Sequence, residues 1–297
     1  MRENFYMSRF KQILFPVDYS PRCIGAVPYA RELLQTPGAR LTTLYAVPIP
    51  YYPPDVTWPG PVPVQEEDLG AATLALEAFN REQFANVADG GVIQAVCESG
   101  DPATAIIGFA ETNGVDLIMM PTHGHGPFRS FLLGSVAAKV LHDARCPVWT
   151  SAHAGDPGVE DHLPIRVIIC AVDTKKEDLG VLQFAKGIAK DEGAQLRIVH
   201  AYPTIDARPE KYMDQELEHE LAESARQEIS GMLQEAGLEV PVVVVGGEVA
   251  EVIRDAVNQF DADLVIIGRG ALHERFGRLR TNVYSIVRDS PAPVLSL

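Results

Sequence analysis

The sequence predicts an α/β chain built from two copies of one open, doubly wound domain with five parallel strands. Three observations predict it. Short apolar runs alternate with amphipathic segments along the whole length, as strands joined by crossover helices do. The runs are unbroken rather than alternating in polarity, which fits parallel strands buried on both faces. And the chain matches itself: RFKQILFPVDYSP (9–21) against PIRVIICAVDTKK (164–176), VDLIMMPTHG (115–124) against ADLVIIGRGA (262–271), and DARCPVWTS (143–151) against DSPAPVLSL (289–297). Equivalent positions stand 155 residues apart at Asp18 and Asp173, 147 at Asp116 and Asp263, and 146 at Pro147 and Pro293. The shrinking offset puts extra residues in the first copy, and the Pro-rich stretch 47–64 is the obvious seat for them. Residues 153–164, HAGDPGVEDHLP, read as a linker. The expected domains are therefore 1–152 and 165–297.

Element by element, QILFPV is too short for a helix and is taken as a buried strand. Ser20-Pro21 supplies an N-cap and a proline at the first helical position, and Gly38 follows that helix. RLTTLYAV is the second strand, a helix covers about 66–88, and VIQAVCE is the third strand. Asp101-Pro102 opens a helix ending near Asn113-Gly114. DLIMM, a helix over 135–143, and PVWTS complete the first copy. The second copy repeats the order: VIICAV, a helix from Thr174 with Glu177 at capping-box spacing, LRIVHAY, a helix over about 210–236, VVVV, a helix over about 249–260, LVIIG, a helix near 281–288, and PVLSL.

Composition narrows the function. The chain has 297 residues, 46% hydrophobic, with a formal net charge of −15 and a pI near 4.9. Such an acidic surface argues against nucleic acid or anionic lipid as a partner, though local donors can still hold an anion. No apolar run approaches a membrane span, and the first residues lack the pattern of a secretory leader, so a cytoplasmic location is expected. Cys23, Cys97, Cys146 and Cys170 are scattered, suggesting free thiols rather than a disulfide framework or metal site.

The chemistry gathers at two strand ends. After the fourth strand comes PTHGHGPFRSFLLGSVAAKVL (121–141). Gly124 and Gly126 let the backbone approach a ligand. Gly134 and Ser135 stand at a helix entrance, where free amides and the helix dipole attract anions. Arg129 adds charge, and His125 flanks the same place. The bland alternative is a turn shaped by glycines and a helix capped by Ser135. Asp18 ends the first strand, beside Pro16 and Val17, and can accept hydrogen bonds from a ribose hydroxyl or an adenine amino group. Its alternative role is an Asx-type cap, for which Ser20 competes. An acidic group and a phosphate loop on neighbouring strand ends together fit a nucleotide, since ligands of such sheets sit at carboxyl strand ends.

These residues resemble the universal stress proteins in their tandem form, over nearly the whole chain. That family's ATP-binding branch carries G-x2-G-x9-G-[ST] after the fourth strand. Gly124, nine residues, Gly134 and Ser135 match, while Pro121 stands in place of the first glycine. Proline serves there if only a φ near about −65° is needed, and not if an N–H is. The resemblance implies adenosine and phosphate contacts from Asp18, Ala46 and Val136, and a strand order of 3-2-1-4-5 with the crevice between strands one and four. It implies ATP or another adenine nucleotide, with Mg2+ as companion, as the ligand of a stress-response regulator. It also implies a contact through the last strand: a pseudo-dimer of the two copies, and a homodimer of two chains through the same edges, besides a protein partner not specified. No complete P-loop is present, so no catalytic residue is assigned; slow ATP hydrolysis and a nucleotide-free interaction module are the alternatives.

In the second copy Gly270 is aligned with Gly124, which sets Ile267 at the first glycine and Arg280-Thr281 at Gly-Ser. Its arginines, Arg269, Arg275, Arg278 and Arg280, are read as a solvated, charge-balancing loop, and its nucleotide site as lost. The H-x-H pair His123 and His125 lacks further ligands at metal spacing, so no metal is expected.

Overall fold

The computed structural model describes residues 9–48, 66–85, 87, 92–124, 133–152, 162–175, 178–202, 204, 211–270 and 278–297. The expectations for His125, Gly126, Arg129, Glu177, Arg275, and most of the Pro-rich stretch and linker fall outside these residues.

In the first copy the order is β1 (Gln12–Pro16), α1 (Pro21–Leu33), β2 (Arg40–Val47), α2 (Glu66–Gln83), β3 (Val92–Ser99), α3 (Pro102–Thr112), β4 (Leu117–Pro121), α4 (Ser135–Asp143) and β5 (Val148–Ser151). Ser20 caps α1 by accepting from the Cys23 amide at 3.1 Å, and Asp101 caps α3 by accepting from the Thr104 amide at 2.9 Å. The second copy follows with β6 (Val167–Ala171), α5 (Asp178–Glu192), β7 (Gln195–Tyr202), α6 (Lys211–Ala236), β8 (Val242–Gly246), α7 (Val249–Phe260), β9 (Leu264–Ile267), α8 (Arg278–Asp289) and β10 (Val294–Ser296).

One helix start differs from expectation: α5 begins at Asp178, not Thr174. Thr174 takes φ 58°, a left-handed conformation that no first helical turn accommodates. The capping oxygen comes instead from inside the helix, because the Asp178 carboxylate accepts from the amides of Asp173 at 2.6 Å and Lys175 at 3.2 Å. Helix α2 also stops at Gln83, short of residue 88.

Among the described residues the ten strands form one sheet in the order β3-β2-β1-β4-β5-β10-β9-β6-β7-β8. Each half therefore has the order 3-2-1-4-5, and within each half every pair is parallel. The halves join through the antiparallel pair β5·β10, with Trp149 opposite Leu295. Two side chains reinforce the seam: Thr150 Oγ1 donates to Val294 O and Ser296 Oγ to Val148 O, both at 3.2 Å. Both last strands are thus interior to the sheet. The homodimer expected through their edges is corrected here, because the chain's own other copy occupies those edges.

One apolar layer packs α1, α2, α5 and α6 on one face of the sheet, around residues such as Phe15, Cys23, Leu182 and Ile229. The other packs α3, α4, α7 and α8 around Leu14, Ile106, Val140 and Ile253. The repeated aspartates tie strand to strand. Asp116 accepts from the Lys11 and Gln12 amides at 2.7 and 3.0 Å, and Asp263 from those of Arg166 and Val167 at 2.7 and 3.0 Å.

Candidate functional site

Strand order reverses between β1 and β4, and there the hydrogen-bonded ladder is short. β1 continues along β2 as far as Pro16 opposite Leu44, and β4 continues along β5 to Pro121 opposite Ser151. The β1·β4 pairing itself ends at Leu14 opposite Ile118. Beyond the end of that ladder lies a crevice of about 260 Å³, close to the lower bound of small-molecule sites. Nine sequence-selected residues line it: Pro16, Val17, Asp18, Ala46, Pro121, Gly124, Gly134, Ser135 and Val136. The inner wall is apolar, with Leu44, Ile106 and Met120. These three were missed from sequence, although strand alternation and the helical turn after Pro102 pointed towards them.

Asp18 stands at the end of β1, half-buried. Its Oδ1 accepts from the Ser20 amide at 2.9 Å, so it makes the Asx turn while Ser20 caps the helix; the two roles are not in competition. The turn places Tyr19 at φ 59°. The Tyr19 ring lies against Tyr45 and Phe79, at 5.2 and 5.7 Å between centroids. Burial, first, and neighbouring thiol and phenol groups raise its pKa to about 12. The other carboxylate oxygen of Asp18 lies against Gly124, where a Cβ would overlap it. Gly124 therefore lets the loop after β4 close on Asp18.

Across the crevice, Gly134 rather than Ser135 is the N-cap of α4, without a side-chain capping bond. Its amide donates to Thr122 O at 2.9 Å, and a Cβ on Gly134 would lie 2.9 Å from that same oxygen. The first helical bond of α4 runs from Ala138 N to Gly134 O at 2.8 Å. The amides of Ser135, Val136 and Ala137 precede it, at the positive end of the helix. Ser135 is exposed. At the outer wall, Lys139 Nζ reaches Asp101 Oδ2 at 3.1 Å and Thr104 Oγ1 at 3.0 Å, tying α4 to the start of α3. His123 is buried; its Nδ1 lies 2.8 Å from Thr122 Oγ1 and 3.1 Å from Arg22 Nη1. No group of three or more metal-ligating side chains occurs among the described residues.

The second copy closes the same place. Its β6·β9 pairing runs four residues, from Ile168 opposite Leu264 to Ala171 opposite Ile267, and the crevice shrinks to about 70 Å³. This register also corrects the alignment of the loops. Leu117 and Leu264 are equivalent, so Gly268, not Ile267, matches Pro121, and the second loop is one residue shorter. Asp173 is paired with Lys175 Nζ at 3.0 Å. Arg269 is not a solvated charge: its guanidinium donates to Leu141 O, Ala144 O and Cys146 O at 3.1, 2.8 and 2.7 Å. It thus caps the C-terminus of α4 from the other copy, and burial lowers its pKa.

A model of the universal stress protein family matches residues 9–151 and 164–296. A universal stress protein of Methanocaldococcus jannaschii is 30% identical over 149 residues, which are 49% of this chain and 82% of that protein. One from Thermus aquaticus is 33% identical over 143 residues, 47% of this chain and 96% of that protein. Among solved structures, a universal stress protein from Archaeoglobus fulgidus is similar over 99% of this chain and 97% of its own, with a TM-score of 0.67 at 22% identity. At that identity the likeness shows the fold.

Proposed function

Since the chain belongs to the universal stress protein family, we propose that it is a stress-response regulator binding an adenine nucleotide in its first copy. On this reading the ligand is ATP, accompanied by Mg2+, and the second copy is structural or regulatory. The observation that carries it is the meeting, in one crevice of about 260 Å³, of the Asp18 carboxylate and the amide end of α4. The apolar wall of Leu44, Ile106 and Met120 suits a base, Asp18 a sugar hydroxyl or amino group, and the Ser135–Ala137 amides a phosphate tail. Each helix-end anion contact is worth about 0.3–1 kcal/mol when exposed and up to about 2 kcal/mol when partly buried, enough to offset the protein's overall negative charge at short range. In the second copy, the longer ladder and the Asp173–Lys175 pair leave little room for such a ligand.

Ser135→Asp tests the reading. Position 135 is exposed and opens α4, so a carboxylate there favours the helix while repelling a phosphate. A change at Gly134 is unsuitable, because any Cβ meets the Thr122 carbonyl. The expected outcome is an unchanged or higher Tm with ATP affinity reduced at least about tenfold, measured by calorimetry in Mg-ATP. Nucleotide released by heating the purified protein distinguishes the alternatives: ATP supports a binding regulator, ADP with turnover a slow hydrolase, and neither, under saturating Mg-ATP, an interaction module without nucleotide.

A further inference from the structure

The two crevices share a strand order and differ in volume. Val283 stands where the first copy has Ala137, but this adds only two methyl groups. A second difference is in the hydrogen-bonded ladder at the switch point: two residue pairs between β1 and β4 against four between β6 and β9.

The cause is readable from the amides. In a parallel strand, successive residues point their N–H and C=O groups towards opposite neighbours. The Val17 amide donates to Leu44 O on β2 at 2.8 Å, so the nitrogen of Pro16 faces β4. The Ile118 and Thr122 amides donate to Pro147 O and Ser151 O on the β5 side at 3.0 and 3.3 Å, so the nitrogen of Pro121 faces β1. The residues aimed at each other across the switch point are both prolines. Neither can donate a ladder bond, and each places a ring carbon where the hydrogen would be. In the second copy the Val172 amide goes to Val199 O at 3.1 Å and that of Arg269 to Leu297 O at 2.9 Å. The positions facing one another there are Ala171 and Gly268, both with an N–H, and the ladder zips to Ala171–Ile267.

We propose that Pro16 and Pro121 are positioning residues that keep the first half's ladder from closing with hydrogen bonds beyond Leu14 and Ile118, and that this proline pair, rather than the loop glycines alone, makes one copy a binding site and the other not. The second readout below rests on the nucleotide reading; the first does not. In Pro16→Ala, which installs the residue type the second copy carries, the strand gains a donor aimed at β4. Hydrogen exchange by NMR at this new amide is expected to slow by roughly 100-fold or more relative to an unprotected amide, and ATP affinity to fall about tenfold or more. Pro121→Gly gives the same exchange reading from the opposite strand, should the first variant fold poorly. A new amide at either position exchanging at the unprotected rate would overturn the proposal, and so would a protected amide with ATP affinity unchanged. If the wild-type chain binds no ATP, the nucleotide reading fails, while amide exchange in the two variants still decides whether the prolines hold the ladder apart.

Discussion

Asp101 serves two elements with one carboxylate. It caps α3 and holds Lys139 of α4, and the Thr104 hydroxyl first, then the Thr104 amide and Lys139, lower its pKa from 3.8 to about 2. A depressed carboxylate stabilises the fold above its unfolded pKa, and that contribution is lost as pH falls through the folded one. Its share is therefore complete above about pH 4 and disappears towards pH 2. The Tm difference between wild type and Asp101→Asn should shrink over that window, measured by circular dichroism; Asp101→Ala should cost about 1 kcal/mol at neutral pH as a lost cap. On the facing side, Gly124→Ala should displace the Asp18 carboxylate and lower ATP affinity with little change in Tm, which calorimetry and thermal melting report together. The caps at Ser20 and Asp101 were legible in the sequence because each obeys a local rule, whereas at α4 that rule pointed to Ser135 and Gly134 takes the position instead. The left-handed turn at Tyr19 was not legible, since a tyrosine has no preference for it and the turn is imposed by Asp18 and by packing against Tyr45 and Phe79.

At the scale of elements, most strands and helices fell where apolar runs and caps put them, because those signals are short-range. The failures came where a distant group decided the outcome. Helix α5 starts late because Asp178 reaches back to amides before it. The second loop was misaligned because matching Gly270 to Gly124 overrode the strand match of 115–124 with 262–271, which already sets Gly268 at Pro121 and which the β6 pairing upholds. Arg269 looked like one of several loop arginines, yet it satisfies three carbonyls at the end of a helix in the other copy. Buried charge of this kind is tolerated only when its donors are used. Arg269→Met leaves those carbonyls without the guanidinium and should cost about 2–3 kcal/mol in denaturant unfolding. Arg269→Lys should recover little of it, as an ammonium cannot span the same fork. A neutral effect of Arg269→Met would mean that the carbonyls find water instead.

For the whole molecule, the repeat made two copies legible but left open which edge each last strand would use. An apolar last strand seeks an antiparallel partner, and the chain offers two: its own second copy or a neighbour's. Tethering settles the choice, because a connection as short as residues 153–164 holds the internal partner at an effective concentration of roughly millimolar, above that of a second chain in ordinary solution. The seam then gathers Trp149 against Leu295, the Thr150 and Ser296 hydroxyl bonds, the Tyr284 hydroxyl donating to Ala138 O at 3.1 Å, and the Arg269 cap. So many contacts across one line couple the halves, and calorimetry of the full chain should show a single transition rather than two. Cutting the tether reverses the competition. A fragment of residues 165–297 keeps a complete half-sheet but bares the edge of β10, and bare apolar edges pair. Sedimentation should find that fragment as a dimer at micromolar concentration. A folded, monomeric fragment would show that the β10 edge has no pairing tendency of its own, and that the β5·β10 seam is held by the Arg269 and Tyr284 contacts instead.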